Sequence, residues 1–219
     1  VAYNILFFDL DGTLTDSAEG IIKSIRFAFE RYAIPTEGTD FTKYIGPSLR
    51  ESFFRHTDDP ALVEALIEAY RERYAAKGVF ENTLYKGIRE LLTTLHGEGK
   101  TLCLATAKPE AFARQVLAQY DLLSLFTFTA CASMDGSRVD KDDVIAYALS
   151  NVPGDKREML MIGDREHDIL GARVHGLDAA GVLYGFGSEE ELAACNPVYI
   201  ADTVDSLGQF LLQGAPVSV

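Results

Sequence analysis

Four consecutive apolar residues, Ile5 to Phe8, read as a buried strand that stops abruptly at Asp9. The pattern then turns helical. Ile21, Ile22, Ile25, Phe29 and Tyr32 recur at a helical period behind the acids Asp16 and Glu19, which make a start resembling a capping box. Gly38 and Thr39 mark a turn, and Ile45-Gly46-Pro47-Ser48 interrupts the chain again before a short helix carrying Leu49, Phe53 and Phe54. Asp59-Pro60 then sets an N-cap followed by proline at the first helical position, ahead of an apolar face of Leu62, Leu66, Ile67, Tyr70 and Tyr74. Residues 15–82 thus read as helices without a strand.

From Tyr85-Lys86-Gly87 onward the pattern alternates. A helix holding Ile88, Leu91, Leu92 and Leu95 ends at Gly97 and Gly99. Strands are expected at 101–106, 126–130, 159–162, 179–182 and 198–201. The helices between them begin at Pro109, span 142–149, end near Gly176 and start at the glutamate-rich cap Ser188, and a last helix carries Val204, Leu207 and Leu211. Such alternation predicts an α/β fold with an open parallel sheet covered on both faces. The helical block lies just after the first strand, so residues 1–14 and 83–219 are expected to form the core and 15–82 an inserted helical domain.

Composition adds exclusions. The 219 residues are 47% hydrophobic and 24% charged, ordinary for a globular protein. A net charge of −13 without a basic stripe argues against binding a nucleic-acid polymer. There is no apolar stretch long enough to span a bilayer, and the N-terminal residues lack a basic leader. Cys103, Cys131 and Cys195 are well separated and have no metal-type spacing, which fits a reducing compartment. A cytoplasmic protein, monomeric or weakly homodimeric, is the resulting expectation.

In parallel sheets of this kind ligands bind beyond the carboxyl ends of the strands, and several predicted strand exits carry reactive groups. The first ends in Asp9-Leu10-Asp11-Gly12-Thr13, the second in Thr106, and the fourth in Gly163-Asp164, while Lys141 heads the helix after the third. Two acids at the exit of a buried strand are costly unless neutralised. Asp9 is placed to attack phosphorus and form an aspartyl phosphate. Asp11 can protonate the leaving oxygen and later take a proton from water. Asp164 and Asp168, four residues apart, offer carboxylates to a cation, directly or through water, and so few acids suit Mg²⁺. Thr106 offers a hydroxyl and Lys141 a positive charge for the phosphate, which offsets the acidic surface. Taken singly, each has an ordinary reading: Asp-x-Asp as a solvated turn, Lys141 among Asp140, Asp142 and Asp143 as a charge cluster, His167 and His175 as exposed or packing residues.

Their order resembles the haloacid dehalogenase superfamily of phosphatases, in particular its phosphoglycolate phosphatase and 5′-nucleotidase-like branch. Asp9-Leu10-Asp11-Gly12-Thr13 matches the first motif, Leu102 to Thr106 the second, Lys141 the lysine motif, and Gly163-Asp164-Arg165-Glu166-His167-Asp168 the fourth. The resemblance spans essentially the whole chain. It implies a Rossmann-like core, an all-helical cap of the C1 type, and Mg²⁺ held by Asp9, the Asp11 main-chain carbonyl and Asp164, with Asp168 behind them. It also implies a phosphate grip from Gly12, Thr106, the Ala107 N–H and Lys141. Two positions depart from the common pattern: Ala107 stands where many relatives have asparagine, and Asp142 follows Lys141 where proline is frequent. Lys108 is then a second candidate cation for the phosphate. In the cap, Gly46, Pro47, Ser48 and Arg50 match the position of substrate-selecting loops, although Arg50 reads equally well as a surface charge. Hinges are expected at Asp16-Ser17 and at 81–85.

The function so implied is a Mg²⁺-dependent phosphomonoester hydrolase acting on a small phosphorylated metabolite such as phosphoglycolate or a nucleoside monophosphate. A phosphosugar mutase of the same architecture and a non-catalytic binding protein that keeps the fold are the alternatives. Dehalogenation is disfavoured, having no use for the second aspartate or the metal acids.

Overall fold

The computed structural model of the chain describes residues 2–213; residue 1 and residues 214–219, which the expected core includes, lie outside them. The elements run β1 (Ile5–Phe8), β2 (Thr15–Asp16), α1 (Ala18–Arg31), α2 (Leu49–Phe54), α3 (Pro60–Ala76), β3 (Thr83–Leu84), α4 (Ile88–Gly97), β4 (Thr101–Pro109) and α5 (Glu110–Gln119). They continue β5 (Phe128–Ala132), α6 (Lys141–Asn151), β6 (Met159–Gly163), α7 (Glu166–Val174), β7 (Asp178–Val182), α8 (Glu189–Ala194), β8 (Tyr199–Ala201) and α9 (Val204–Gln213). The chain divides into two compact units, one comprising the residues up to Thr15 and from Leu84 onward, the other Asp16–Thr83.

The first unit is the α/β core. Its six-stranded sheet has the order β5-β4-β1-β6-β7-β8, with every pairing parallel. All four residues of β1 are buried because the strand is central and flanked by β4 and β6. Ile5 and Phe7 pack with Val144, Ile145 and Ala148 of α6 and Ile169 and Ala172 of α7 in one apolar cluster. β1 alternates its side chains between faces, so Leu6 and Phe8, also buried, serve the opposite face.

The second unit is helical. α1 and α3 pack on each other, and α2 packs on α3. Asp59 caps α3 as its sequence predicts, its carboxylate accepting the Ala61 N–H at 2.9 Å, with Pro60 first in the helix. Phe29 sits in an aromatic cluster with Phe41, Tyr44, Phe53 and His56, at centroid separations of 4.7–6.3 Å.

Some local expectations need correction. No capping box starts α1: Ser17 is the N-cap without a side-chain cap bond, and Asp16 instead accepts the Ala18 N–H at 3.1 Å. Residues 15–82 do contain strand, since Thr15–Asp16 pairs with Thr83–Leu84 as a two-stranded sheet where the chain crosses between the units. β4 does not stop at Thr106 but runs to Pro109 through a register shift against β5. The physical reason is a bulge, which keeps the ladder going while leaving extra residues at the strand's active end.

Candidate active site

The central strands bring the predicted chemistry together within the core unit. Asp9 leaves β1 with its N–H still donating to the Ile162 carbonyl of β6, at 2.9 Å, so the sheet fixes its height. Asp164 follows β6 directly, Thr106 stands at the bulge of β4, and Lys141 is the first residue of α6. Asp9, Thr106, Lys141, Asp164 and Asp168 are all buried.

Lys141 is the electrostatic hub. Its Nζ is 2.7 Å from an Asp9 oxygen, 2.7 Å from an Asp168 oxygen, and donates to the Ala105 carbonyl at 3.0 Å. One oxygen each of Asp9, Asp164 and Asp168 lie within 4.8 Å of one another. Three buried carboxylates thus face one ammonium, an imbalance that burial makes expensive. Burial pushes Asp9 up to about 6, against the pull of Lys141, and Asp168 and Asp11 add to the rise. Asp164 is raised well above the ordinary carboxylate range, by burial first and then by the charges of Asp168 and Asp9. Burial alone would pull Lys141 down, but Asp168 and Asp9 outweigh it and hold the ammonium above the usual lysine range. Oxygen donors in charge excess fit a hard divalent cation such as Mg²⁺.

Gly12 shapes this cluster through its lack of a side chain. Its φ is +85°, and a Cβ there would overlap the Asp164 carboxylate. Its N–H donates to the Thr15 carbonyl at 2.8 Å, so the contribution visible here is clearance for Asp164. Thr13 Oγ1 donates to Asp164 Oδ1 at 3.3 Å. The Thr106 hydroxyl oxygen accepts the Lys108 N–H at 3.3 Å, leaving its own proton to donate. Ala107 is half-buried in the bulge.

Lys108 is placed differently from Lys141. Its Nζ donates to both oxygens of Asp11, at 2.6 and 2.9 Å, in a largely buried pair. Two separate lysine–aspartate arrangements therefore flank Leu10, one on Asp9 and one on Asp11. Sequence reasoning raised Lys108 only as a cation for phosphate, because a pairing between residues 97 apart leaves no trace in local pattern.

The segment after β7 was missed altogether. The Phe186 N–H donates to Asp164 Oδ2 at 2.8 Å. Tyr184 beside it meets the Tyr85 ring edge-on at 5.1 Å, and its buried hydroxyl has no partner among the described residues. Burial, then the Asp164 charge, push that phenol far above its usual range. The signal available in sequence was Gly185-Phe186-Gly187, two small residues bracketing an amide after a strand.

His167 and His175 take no part in the acid cluster; His175 Nε2 lies 2.9 Å from the Asp142 carbonyl at the edge of α6. In the helical unit, Gly46 is exposed at φ +108°, Pro47 and Ser48 are half-buried, and Ser48 caps α2 by accepting the Glu51 N–H at 3.2 Å. Arg50 pairs with Glu64 of the same unit, both side chains more than half exposed.

An α/β fold with a buried acid cluster and a lysine across the ends of its central strands defines a class of hydrolytic or transfer enzymes. The particular family follows from comparison: residues 6–182 match the haloacid dehalogenase-like hydrolase model, and the chain belongs to that family. It is 39% identical over 213 residues to a 5′-nucleotidase of Pseudomonas aeruginosa, covering 95% of this chain and 96% of that one. It is 38% identical over 210 residues to the tyrosine-protein kinase PtkA of Mycobacterium tuberculosis, covering 94% of this chain and 72% of that protein. A crystal structure described as a predicted phosphatase from Clostridium acetobutylicum shares 41% identity and superposes with a TM-score of 0.92, over 97% of this chain and 99% of that one. Among the described residues no helix is long and apolar enough to cross a membrane.

Proposed function

We propose that this chain is a Mg²⁺-dependent phosphomonoester hydrolase that acts on a small phosphorylated metabolite through an aspartyl-phosphate intermediate. The observation that carries the reading is the buried cluster of Asp9, Asp164 and Asp168 around Lys141 at the ends of β1 and β6. Similarity to the Pseudomonas 5′-nucleotidase supports the same reaction class, as does similarity to a phosphoglycolate phosphatase of Vibrio parahaemolyticus, 27% identical over 213 residues.

Asp9, Asp164 and the Asp11 carbonyl would hold Mg²⁺, whose positive charge would let a carboxylate meet a phosphate dianion. The chain's own groups do the rest. An oxygen of Asp9 attacks phosphorus, the P–O bond to the alcohol breaks, and Asp11 gives its proton to the departing oxygen. Lys108 steadies the Asp11 carboxyl, since one oxygen can accept from Nζ while the other carries the proton. Water then attacks the phosphorus of the acyl phosphate, Asp11 takes a proton from it, and the bond to Asp9 breaks. The Thr106 hydroxyl and the Ala107 N–H hold phosphate oxygens, and Lys141 balances the charge that Asp9 loses and regains. The cap residues Gly46, Pro47, Ser48 and Arg50 choose the organic part of the ester, because the core groups address only the phosphoryl group.

The test is inorganic phosphate release from a panel of phosphoglycolate, nucleoside monophosphates and phosphosugars in the presence of Mg²⁺. Release that needs no bisphosphate activator and vanishes in Asp9→Asn supports the reading. Phosphoryl transfer to a second substrate in place of release, or inactivity across the whole panel, contradicts it.

A further inference from the structure

Asp164 and Asp168 repel each other and Asp9, yet their oxygens converge. Something must hold the segment that carries them. The residues after β7 wrap this segment at both ends. At one end, the Phe186 N–H donates to Asp164 Oδ2 at 2.8 Å. Close approach there requires glycine, because a Cβ at Gly185 would overlap the Asp164 side chain and one at Gly187 its carbonyl oxygen. At the other end, Ser188 starts α8 by accepting the Glu191 N–H at 3.2 Å, which aims Glu191 back at the segment. Glu191 Oε1 accepts from Arg165 Nε at 2.7 Å and from the Glu166 N–H at 2.9 Å, the first residue of α7. The Arg165 N–H in turn donates to Asp168 Oδ2 at 3.1 Å, and Asp168 Oδ1 lies against Lys141.

We infer that Glu191, which lies on a separate helix 25 residues beyond Glu166, is a positioning residue for the metal-binding carboxylates, acting through Arg165 and the start of α7. The inference rests on the Mg²⁺ reading above. Three features separate this pair from an ordinary surface salt bridge. The side chains of Arg165 and Glu191 are only 16% and 21% exposed, so solvent screens them weakly. The carboxylate makes two charge-assisted bonds to the same short segment. It also sits at the amino end of α7, where negative charge is favoured. Arg165 neutralises Glu191, so the residue is not itself a cation ligand; its effect is geometric, holding the backbone between Asp164 and Asp168 in the one arrangement that presents both.

Calorimetric titration of the full chain with Mg²⁺ alone tests this, with the Mg²⁺ dependence of phosphate release measured alongside. Glu191→Leu is expected to weaken Mg²⁺ binding about 10-fold or more, as loss of a supporting partner does elsewhere, with a parallel rise in the Mg²⁺ needed for half-maximal activity. KM for the ester at saturating Mg²⁺ is expected to move by less than about threefold. Glu191→Gln keeps an oxygen that accepts from both N–H groups, so it should restore most of the Mg²⁺ affinity. If Glu191→Leu does not fold, Glu191→Asp withdraws the carboxylate by one methylene and should show the same loss. Wild-type Mg²⁺ affinity in the variant that folds, whatever its melting temperature, overturns the inference. So does a loss in Glu191→Gln as large as in Glu191→Leu, which would assign the effect to charge. If the wild-type chain binds no Mg²⁺, the Mg²⁺ reading itself fails and this inference with it; wild-type binding that the variants share sinks the positioning role alone.

Discussion

The core and the cap are stabilised by different means. Every charged side chain that is buried among the described residues lies in the core: Asp9, Lys108, Lys141, Asp164 and Asp168. The cap instead buries Phe29, Phe41, Tyr44 and Phe53 around one half-buried histidine; of its ion pairs, Arg31 with Glu72 and Arg50 with Glu64 stand largely in solvent, while Arg73 with Glu81 is mostly buried. Exposed pairs contribute little, whereas the rings supply the apolar area that holds the cap together. The core thus tolerates a concentration of charge that costs stability, which is what a reactive site requires. The cap carries no such cost, and its sequence is correspondingly less informative about chemistry.

The strongest way to break this contrast is at Asp9. Asp9→Asn should lower phosphate release by on the order of 10⁴-fold or more while leaving the folded cap intact, measured by single-turnover assays beside hydrogen exchange of residues 18–76. Next in size is the centre of the cap. Phe29 is fully buried, so Phe29→Ala should cost about 3–5 kcal/mol, read as lost exchange protection in α1 and α3 with the core strands unaffected. A loss spread evenly over both units would contradict the separation.

The pH dependence should have opposite signs in the two regions. Asp9 in the folded, metal-free core is raised from 3.8 to about 6, so the folded state binds its proton more tightly than the unfolded chain does. The stability this gives is fully present below about pH 4 and is lost as pH rises through 6. Melting curves of metal-free protein should therefore show a contribution that declines across this window, that Asp9→Asn abolishes, and that Mg²⁺ reverses at neutral pH. His56 in the cap is held below its usual 6.5, by burial first and then by Arg55. Its contribution is present above pH 6.5 and is lost as pH falls below it. His56→Gln should remove that slope in exchange protection of the cap, the smallest of these effects. Slopes of the same sign in both units would defeat the contrast.

Much of the core was legible in sequence because its signals are local. An apolar run ending on Asp9, the caps at Asp59 and Ser188, and the order of Asp9, Thr106, Lys141 and Asp164 each depend on neighbours in the chain. What escaped depends on distant partners. The Lys108–Asp11 pair joins the end of β4 to the loop after β1, the bulge after Thr106 answers to β5, and Glu191 reaches the segment of Asp164 from another helix. The start of α1 was misread for a similar reason: Asp16 belongs to the paired strands at the crossing, so it bonds Ala18 without forming a capping box. The helical unit yielded little about chemistry because packing, which many sequences satisfy equally, governs it.

Covalent capture of the phosphoryl group is the most direct test of the proposed chemistry. The enzyme, mixed with a ³²P-labelled ester that it hydrolyses and quenched in acid within the first turnover, should carry a hydroxylamine-labile label on the peptide containing Asp9, absent from Asp9→Asn. Label on any other residue, or turnover undiminished in Asp9→Asn, would contradict Asp9 as the nucleophile.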